Sequence, residues 1–359
     1  MLREWFTNDK GPRFKGDAPT GTSLRSSRLN WLGDSAEDYE ENYELKTRKS
    51  DGSWNHLIHT IDTLNYTADN VFEESVRKCI HVDRALWYMA LNNLVVNTDA
   101  YVGAGHNYYL YFDPATDYRM NILPWDLNES FGVHGPRINP EQLSPFAHEN
   151  ASNHPLSERL LAVPKWRALY LAHYRTLVRT WFDWDRVLEP LHRSYQERIR
   201  EDVEQDDNYL FSREQFLDRP EHAYDWMGHR IPPLEHLIVK RQKYLREHEK
   251  MWQSGPTIKE VQGNVLDTEA PSSTRISIAA HVTSDVGVRS VVLRLKQEHL
   301  FHEVPMEHKD SGTYETSFAA PTNSKTVDYY LLATDVDGNV EVAPPEAEQH
   351  LFELLLSED

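Results

Sequence analysis

The stretch from Asn97 to Gly132, NTDAYVGAGHNYYLYFDPATDYRMNILPWDLNESFG, constrains this chain more than any other. Tyr108 to Phe112 and Tyr118 to Leu123 are rich in β-formers, and Asp113-Pro114-Ala115-Thr116-Asp117 between them supplies turn chemistry. The stretch reads as one β-hairpin with Asn107 at its entrance and Asp126 just beyond its exit, fed by a loop that carries Asp99. Asp126 sits between Trp125 and Leu127. A carboxylate in so apolar a setting needs a cation, a donor or a shifted pKa. The plainer alternatives are a turn aspartate at 126, an asparagine at 107 that pins its loop through backbone hydrogen bonds, and an ordinary loop carboxylate at 99.

The order of these parts is that of a protein-kinase catalytic core. Asn97-x-Asp99, the run His106-Asn107-Tyr108-Tyr109-Leu110-Tyr111, and Leu123-Pro124-Trp125-Asp126-Leu127-Asn128-x-Ser130-Phe131-Gly132 closely resemble the CotH kinase family. That family is named for spore-coat protein H and comprises secreted or surface-located relatives of eukaryotic protein kinases. Tyr43-Glu44-Leu45-Lys46 resembles its segment after the lobe hinge. Pro155-Leu156-x-x-Arg159-Leu160-Leu161, Pro232-x-Leu234 and Arg241 resemble its C-terminal helices. The resemblance covers roughly residues 1 to 253.

The resemblance implies an α+β fold, a mostly helical kinase-like C-terminal lobe with a catalytic β-hairpin. It implies metal-dependent transfer of the ATP γ-phosphoryl group to a Ser or Thr hydroxyl of a protein substrate. Asp99 would orient the nucleophile, while Asn107 and Asp126 would hold Mg²⁺ or Mn²⁺. His106 is expected to make structural hydrogen bonds, and Asn128 to cap a turn or add a third oxygen ligand. The implied setting is secreted or cell-surface.

The chain departs from the family pattern, which often has Asp-Arg where Asp99-Ala100 stands and a second Asp where Asn128 stands. Met1 opens onto LREWFTNDKG, which reads like the middle of a family member. The expectation is a chain without the N-terminal lobe, its glycine-rich loop or its phosphate-anchoring lysine, which by itself binds metal–nucleotide weakly and phosphorylates slowly or not at all. Lys46 and Lys49 are the nearest basic candidates. A second reading stays open: a catalytically weak kinase-like scaffold that works as a surface interaction protein, with a cell-envelope partner.

Composition narrows the alternatives. A formal net charge of −19 argues against a nonspecific nucleic-acid binder, which needs basic clusters to neutralise phosphates. It does not weigh against ATP, because a bound divalent cation reverses the local field. Cys79 is the only cysteine, which excludes an intramolecular disulfide and a cysteine metal cluster. No apolar run reaches the ~18 residues of a membrane span, and the N-terminus does not read as a signal peptide.

Residues 1 to about 50 read as loop, with a solvated acidic run from Asp34 to Glu44. Phe72, Val76 and Ile80 begin a helical pattern, and Asp83 is placed to cap a helix carrying Leu86, Met89, Ala90 and Leu94. Residues 133 to 154 have no period and occupy the place of an activation segment. Helices are expected through Trp166 to Trp181, Val187 to Val203 and Leu234 to Met251, with their apolar stripes in the core. The pattern changes at Gly255-Pro256 to short strands: Arg275 to Val282, Val288 to Leu295, Tyr314 to Phe318 and Val327 to Ala333. Turns at Asp310-Ser311-Gly312 and Asp337-Gly338 separate some of them. Residues 256 to 354 are therefore expected to form an all-β immunoglobulin-like sandwich after the 1 to 253 domain.

Three rival motifs fail. Asp335-Val336-Asp337-Gly338-Asn339 has its glycine too early for a calcium loop, so a hairpin turn is expected there. The 18 histidines include no HExxH, which removes a zinc protease. Ser130 lacks a G-x-S-x-G context, which removes that hydrolase class.

Overall fold

The computed structural model describes residues 2–17, 27–47, 52–135, 138–208, 212–226, 228–253, 255–266, 275–321 and 324–356. Within them the chain forms two compact units, one of residues 1–163 with 174–251 and one of 164–173 with 252–359.

The first unit opens with the short helix α1 (Leu2–Trp5) and the strands β1 (Arg13–Gly16) and β2 (Tyr43–Leu45). Then come α2 (Ser53–Tyr66), α3 (Asp69–Cys79) and α4 (Val82–Leu94), followed by the hairpin strands β3 (Tyr108–Asp113) and β4 (Arg119–Pro124). The hairpin turn forms as its residues dictate. Asp113 accepts a hydrogen bond from the Ala115 amide at 3.0 Å, Pro114 starts a 3₁₀ turn, and Asp117 takes the left-handed conformation. The hairpin does not stand alone. The sheet order is β2-β1-β3-β4, all antiparallel, with Phe14 opposite both Leu45 and Leu110.

β1, β2 and α2 fall where the sequence reads as loop or carries no expected helix. The two strands are only four and three residues long, too short for a period to show. Helix α2 is rich in His, Thr and Asn, which mask its apolar stripe of Trp54, Leu57, Ile61 and Leu64. That stripe faces the sheet: the Trp54 ring meets Phe14 edge-on at 4.8 Å, and Phe14 in turn meets Phe112 at 5.9 Å. Helix α4 carries Leu86, Met89, Ala90 and Leu94 buried, as its period predicts. Its cap position is His81 rather than Asp83, which lies buried inside the first turn where the helix dipole favours an acid. The His81 amide donates to the Met120 carbonyl at 3.0 Å and Arg84 donates to Asn121 at 2.7 Å, fixing α4 against β4.

Beyond the hairpin come α5 (Pro155–Ala162), α6 (Pro164–Thr180), α7 (Glu189–Gln205), α8 (Arg213–Asp218), the strand pair β5 (Tyr224–Trp226) and β6 (His229–Ile231), and α9 (Leu234–Arg246). The stripe of α7 departs from expectation. No residue of α7 is buried, and Leu191, Tyr195 and Ile199 are about half exposed. Helix α9 behaves as expected, with Leu237, Ile238, Arg241 and Leu245 buried.

Arg241 is the polar centre of the first unit. It is fully buried, and its guanidinium donates to the carbonyls of Asn93 (2.8 Å), Leu94 (2.7 Å) and Leu143 (2.9 Å) and to the Tyr174 hydroxyl (3.0 Å). The carbonyls of Asn93 and Leu94 end α4, so the cation sits at the negative end of that helix.

In the second unit the strands are β7 (Thr257–Leu266), β8 (Arg275–Thr283), β9 (Val288–Gln297), β10 (Leu300–Pro305), β11 (Glu307–His308), β12 (Thr313–Ala319), β13 (Thr326–Asp335), β14 (Val340–Ala343) and β15 (Phe352–Leu355). They form two antiparallel sheets, β7-β8-β12-β11 and β10-β9-β13-β14, with β15 also paired to β13. Alternate residues of β8 (Ile276, Ile278, Ala280, Val282) meet those of β9 and β13 (Val291, Leu293, Leu295, Tyr329, Leu331) in one core. A smaller cluster of Tyr330, Val340, Val342 and Ala347 packs with Ala168 and Leu169 of the 164–173 segment. Asp335 closes its hairpin turn, accepting from the Asn339 amide at 2.8 Å and from its side chain at 2.9 Å.

Removing the Arg241 guanidinium would take the donor from the Leu94 and Leu143 carbonyls. Arg241→Met is expected to destabilise the first unit by about 3 kcal/mol or more. Arg241→Lys should recover little, since one ammonium cannot span that fork of acceptors. Eight of the 10 Trp lie in the first unit, so tryptophan fluorescence during urea unfolding reads mainly this change.

Candidate active site

The site begins where α4 stops. The Val96 amide donates to the Asn93 carbonyl at 3.1 Å and the Asn97 amide to the Asn92 carbonyl at 2.9 Å, the paired bonds of a Schellman motif. The motif needs a left-handed residue, usually glycine, and here Val96 supplies it at φ 52°. A β-branched residue in that conformation carries strain of about 1–2 kcal/mol. The following loop is closed by the Ala104 amide donating to the Thr98 carbonyl at 2.8 Å. Gly103 is required there, because a Cβ would lie 2.1 Å from the Thr98 carbonyl oxygen.

This loop presents Asp99, which is almost wholly buried. Its Oδ2 accepts from Asn107 Nδ2 at 2.7 Å. Its Oδ1 lies 3.3 Å from His106 Nε2 and 3.4 Å from His134 Nδ1. His134 Nδ1 is closer still to Glu129, at 2.9 Å from Oε2. The ligand atoms of Asp99, Glu129 and His134 all lie within 4.8 Å of one another. Burial pushes the Asp99 carboxyl above the usual carboxylate range and the charge of Glu129 adds to this, while the two imidazoles and Asn107 pull the other way.

Glu129 and His134 reach Asp99 because the chain after the hairpin is stitched to the loop. The Phe131 amide donates to the Val95 carbonyl at 2.6 Å, and the Thr98 hydroxyl donates to the His134 carbonyl at 2.9 Å. Phe131 is itself left-handed, at φ 58°.

The residues expected from sequence fall into two groups. Asp99, His106 and Asn107 are brought together: His106 Nε2 lies 3.3 Å from Asp99 Oδ1, and Asn107 is hydrogen-bonded to Oδ2. Asn107 adopts φ 55°, which asparagine tolerates, and its amide donates to the Gly16 carbonyl at 3.0 Å. Asp126 also adopts φ 55° and follows β4 at the open end of the hairpin, since Tyr108 pairs with Pro124. Its carboxylate is exposed and makes no hydrogen bond or ion pair among the described residues. The neighbouring Trp125 and Leu127 are themselves more than 40% exposed, so the setting is open rather than apolar. Asn128 is exposed in the 3₁₀ turn Leu127–Glu129. Lys46 pairs with Glu44 on the edge strand of the hairpin sheet, and Lys49 lies outside the described residues.

Glu129 and His134 were not singled out from the sequence. The only signal was the interval: a carboxylate three residues after Asp126 and a histidine five further on. The donor set of the region is otherwise oxygen, from Asp99, Asn107, Asp126 and Glu129, which is the chemistry of a hard divalent cation.

The sequence profile of the CotH kinase protein family matches residues 1–234. The chain belongs to the CotH kinase family, and that membership supports a kinase-like function. No curated protein matches the chain.

The raised Asp99 pKa has a consequence for stability. A carboxylate that the fold disfavours costs stability while it is charged, above its folded pKa. The cost fades as pH falls through that pKa and vanishes below the ordinary carboxylate range. Asp99→Asn should therefore raise the melting temperature of the metal-free protein at pH 7. The gain should shrink on acidification, as thermal unfolding across pH 3 to 8 would show.

Proposed function

We propose that this chain is a metal-dependent protein kinase that transfers the γ-phosphoryl group of ATP to a Ser or Thr hydroxyl. The observation that carries the reading is Asp99, a buried carboxylate at the mouth of the hairpin, held at Oδ2 by Asn107. In this reading Asp99 orients the substrate hydroxyl toward the γ-phosphorus and receives its proton. The bond from that oxygen to phosphorus forms as the bond from phosphorus to the β,γ-bridging oxygen breaks, with ADP leaving. Asn107 and Asp126 would hold Mg²⁺ or Mn²⁺, which neutralises phosphate charge when bound. The exposure and free carboxylate of Asp126 suit a ligand that must meet an incoming metal–nucleotide complex. Positioning and charge carry most of such a reaction, which is why so few side chains need to act.

We also infer that the strands from 256 to 354 form an immunoglobulin-like module able to fold alone. The support is the order β7-β8-β12-β11 facing β10-β9-β13-β15, in which, with β10 and β14 taken as additions, the first, second, fifth and fourth strands share a sheet as in that architecture. Its own core of Ile276, Ile278, Leu293 and Leu331 adds to it. The segment expressed alone should unfold cooperatively by circular dichroism. A disordered spectrum would move the boundary.

For the enzymatic reading, transfer of labelled phosphate from ATP to a serine-rich protein is the assay. Whatever labelling wild type gives should be lost in Asp99→Ala. Calorimetric titration with Mg²⁺·ATP should show Asp126→Ala binding roughly tenfold weaker or worse. Equal binding by both proteins and no labelling by wild type would leave the scaffold reading in its place.

A further inference from the structure

Asp99 and Glu129 bring two carboxylates to one small space. Asp99 is almost wholly buried, and only a quarter of the Glu129 side chain is exposed. Among the described residues no lysine or arginine touches either one; their ionic partners are His106 and His134. Two carboxylates this close repel each other unless a cation or a proton sits between them, and the group between them among the described residues is the partly exposed imidazole of His134.

The spacing of the atoms suits a cation. Metal–ligand bonds of about 2.1–2.2 Å place neighbouring ligands about 3.0 Å apart in an octahedron and about 3.5 Å apart in a tetrahedron. Glu129 Oε2 and His134 Nδ1 are 2.9 Å apart, and His134 Nδ1 and Asp99 Oδ1 are 3.4 Å apart. A second observation comes from the residues beside Asp99 and Glu129 in the chain. Asn97 and Ser130, which flank Asp99 and Glu129 in the chain, are nearly or fully buried, and Asn97 Oδ1 and Ser130 Oγ have no hydrogen-bond partner. Oxygens of that kind accept hydrogen bonds from the water a hydrated cation carries.

We propose that Asp99 Oδ1, Glu129 Oε2 and His134 Nδ1 bind a divalent cation, in addition to any held by Asn107 and Asp126. An imidazole among the donors selects against Mg²⁺, which demands oxygen, and toward Mn²⁺ or Zn²⁺. The bound cation takes the oxygen of Asp99 that faces the imidazole. Oδ2, held by Asn107, remains for a substrate hydroxyl. The site also explains why Glu129 points inward: it supplies a second anionic ligand, where the exposed Asn128 supplies none.

Electron spin echo spectroscopy of tag-free full-length protein loaded with one equivalent of Mn²⁺ is the direct test. Nitrogen modulation from a coordinated imidazole should appear in wild type and vanish in His134→Gln. Glu129→Gln should weaken Mn²⁺ binding about tenfold or more, and Mg²⁺ should compete poorly. Matched circular dichroism spectra would establish that both variants fold. Mn²⁺ binding without nitrogen modulation, modulation that survives in His134→Gln, or no Mn²⁺ binding at all would each overturn the proposal. The kinase reading is judged separately by Asp99→Ala labelling and Asp126→Ala titration, so either can fail alone.

Discussion

The buried guanidinium of Arg241 holds the C-terminal carbonyls of α4, and the geometry of the site depends on that hold. Three residues past those carbonyls the chain has already turned left-handed at Val96 and entered the Asn97–Asp99 loop. A helix end left to fray would let the loop drift, and a drift of about 1 Å is enough to cost orientation at a reacting centre. One cation, placed at the negative end of one helix, thus links α9, the Leu143 carbonyl and the loop that presents Asp99.

Strain and electrostatic cost gather at the same place. Val96, Asn107, Asp126 and Phe131 are all left-handed, and burial disfavours charge on the Asp99 carboxyl. Such an arrangement stores free energy where a ligand can recover it. The hairpin and the sheet behind it, with Phe14, Leu110 and Phe112 fully buried, form the rigid support against which that strain is held.

The hairpin was legible in the sequence because its strands have β-formers and its turn has Asp-Pro and a left-handed Asp. The later strands were legible for similar reasons: apolar alternation in β8 and β9 and glycine-bearing turns such as Asp337-Gly338. Short edge strands leave no period, so β1 and β2 could be seen only as partners of β3. The stripe of α7 has the right spacing for a core helix, yet spacing alone does not say that anything packs on it. Asp99 and Asn107 were found by motif, and the fold joins them by a hydrogen bond. Glu129 and His134 were missed because their meeting with Asp99 depends on long-range bonds, from Phe131 to Val95 and from Thr98 to His134, that no local pattern records.

The central claim is that the open end of the β3–β4 hairpin is a metal–nucleotide site built around Asp99. A crystal of the full chain grown with Mn²⁺ and a non-hydrolysable ATP analogue, phased to show anomalous scattering from manganese, tests it most directly. The account predicts manganese peaks within about 2.0–2.4 Å of oxygens from this cluster of side chains, with the nucleotide phosphates in contact with at least one of them. Manganese found only on distant surface carboxylates, with no nucleotide at the hairpin, would contradict it.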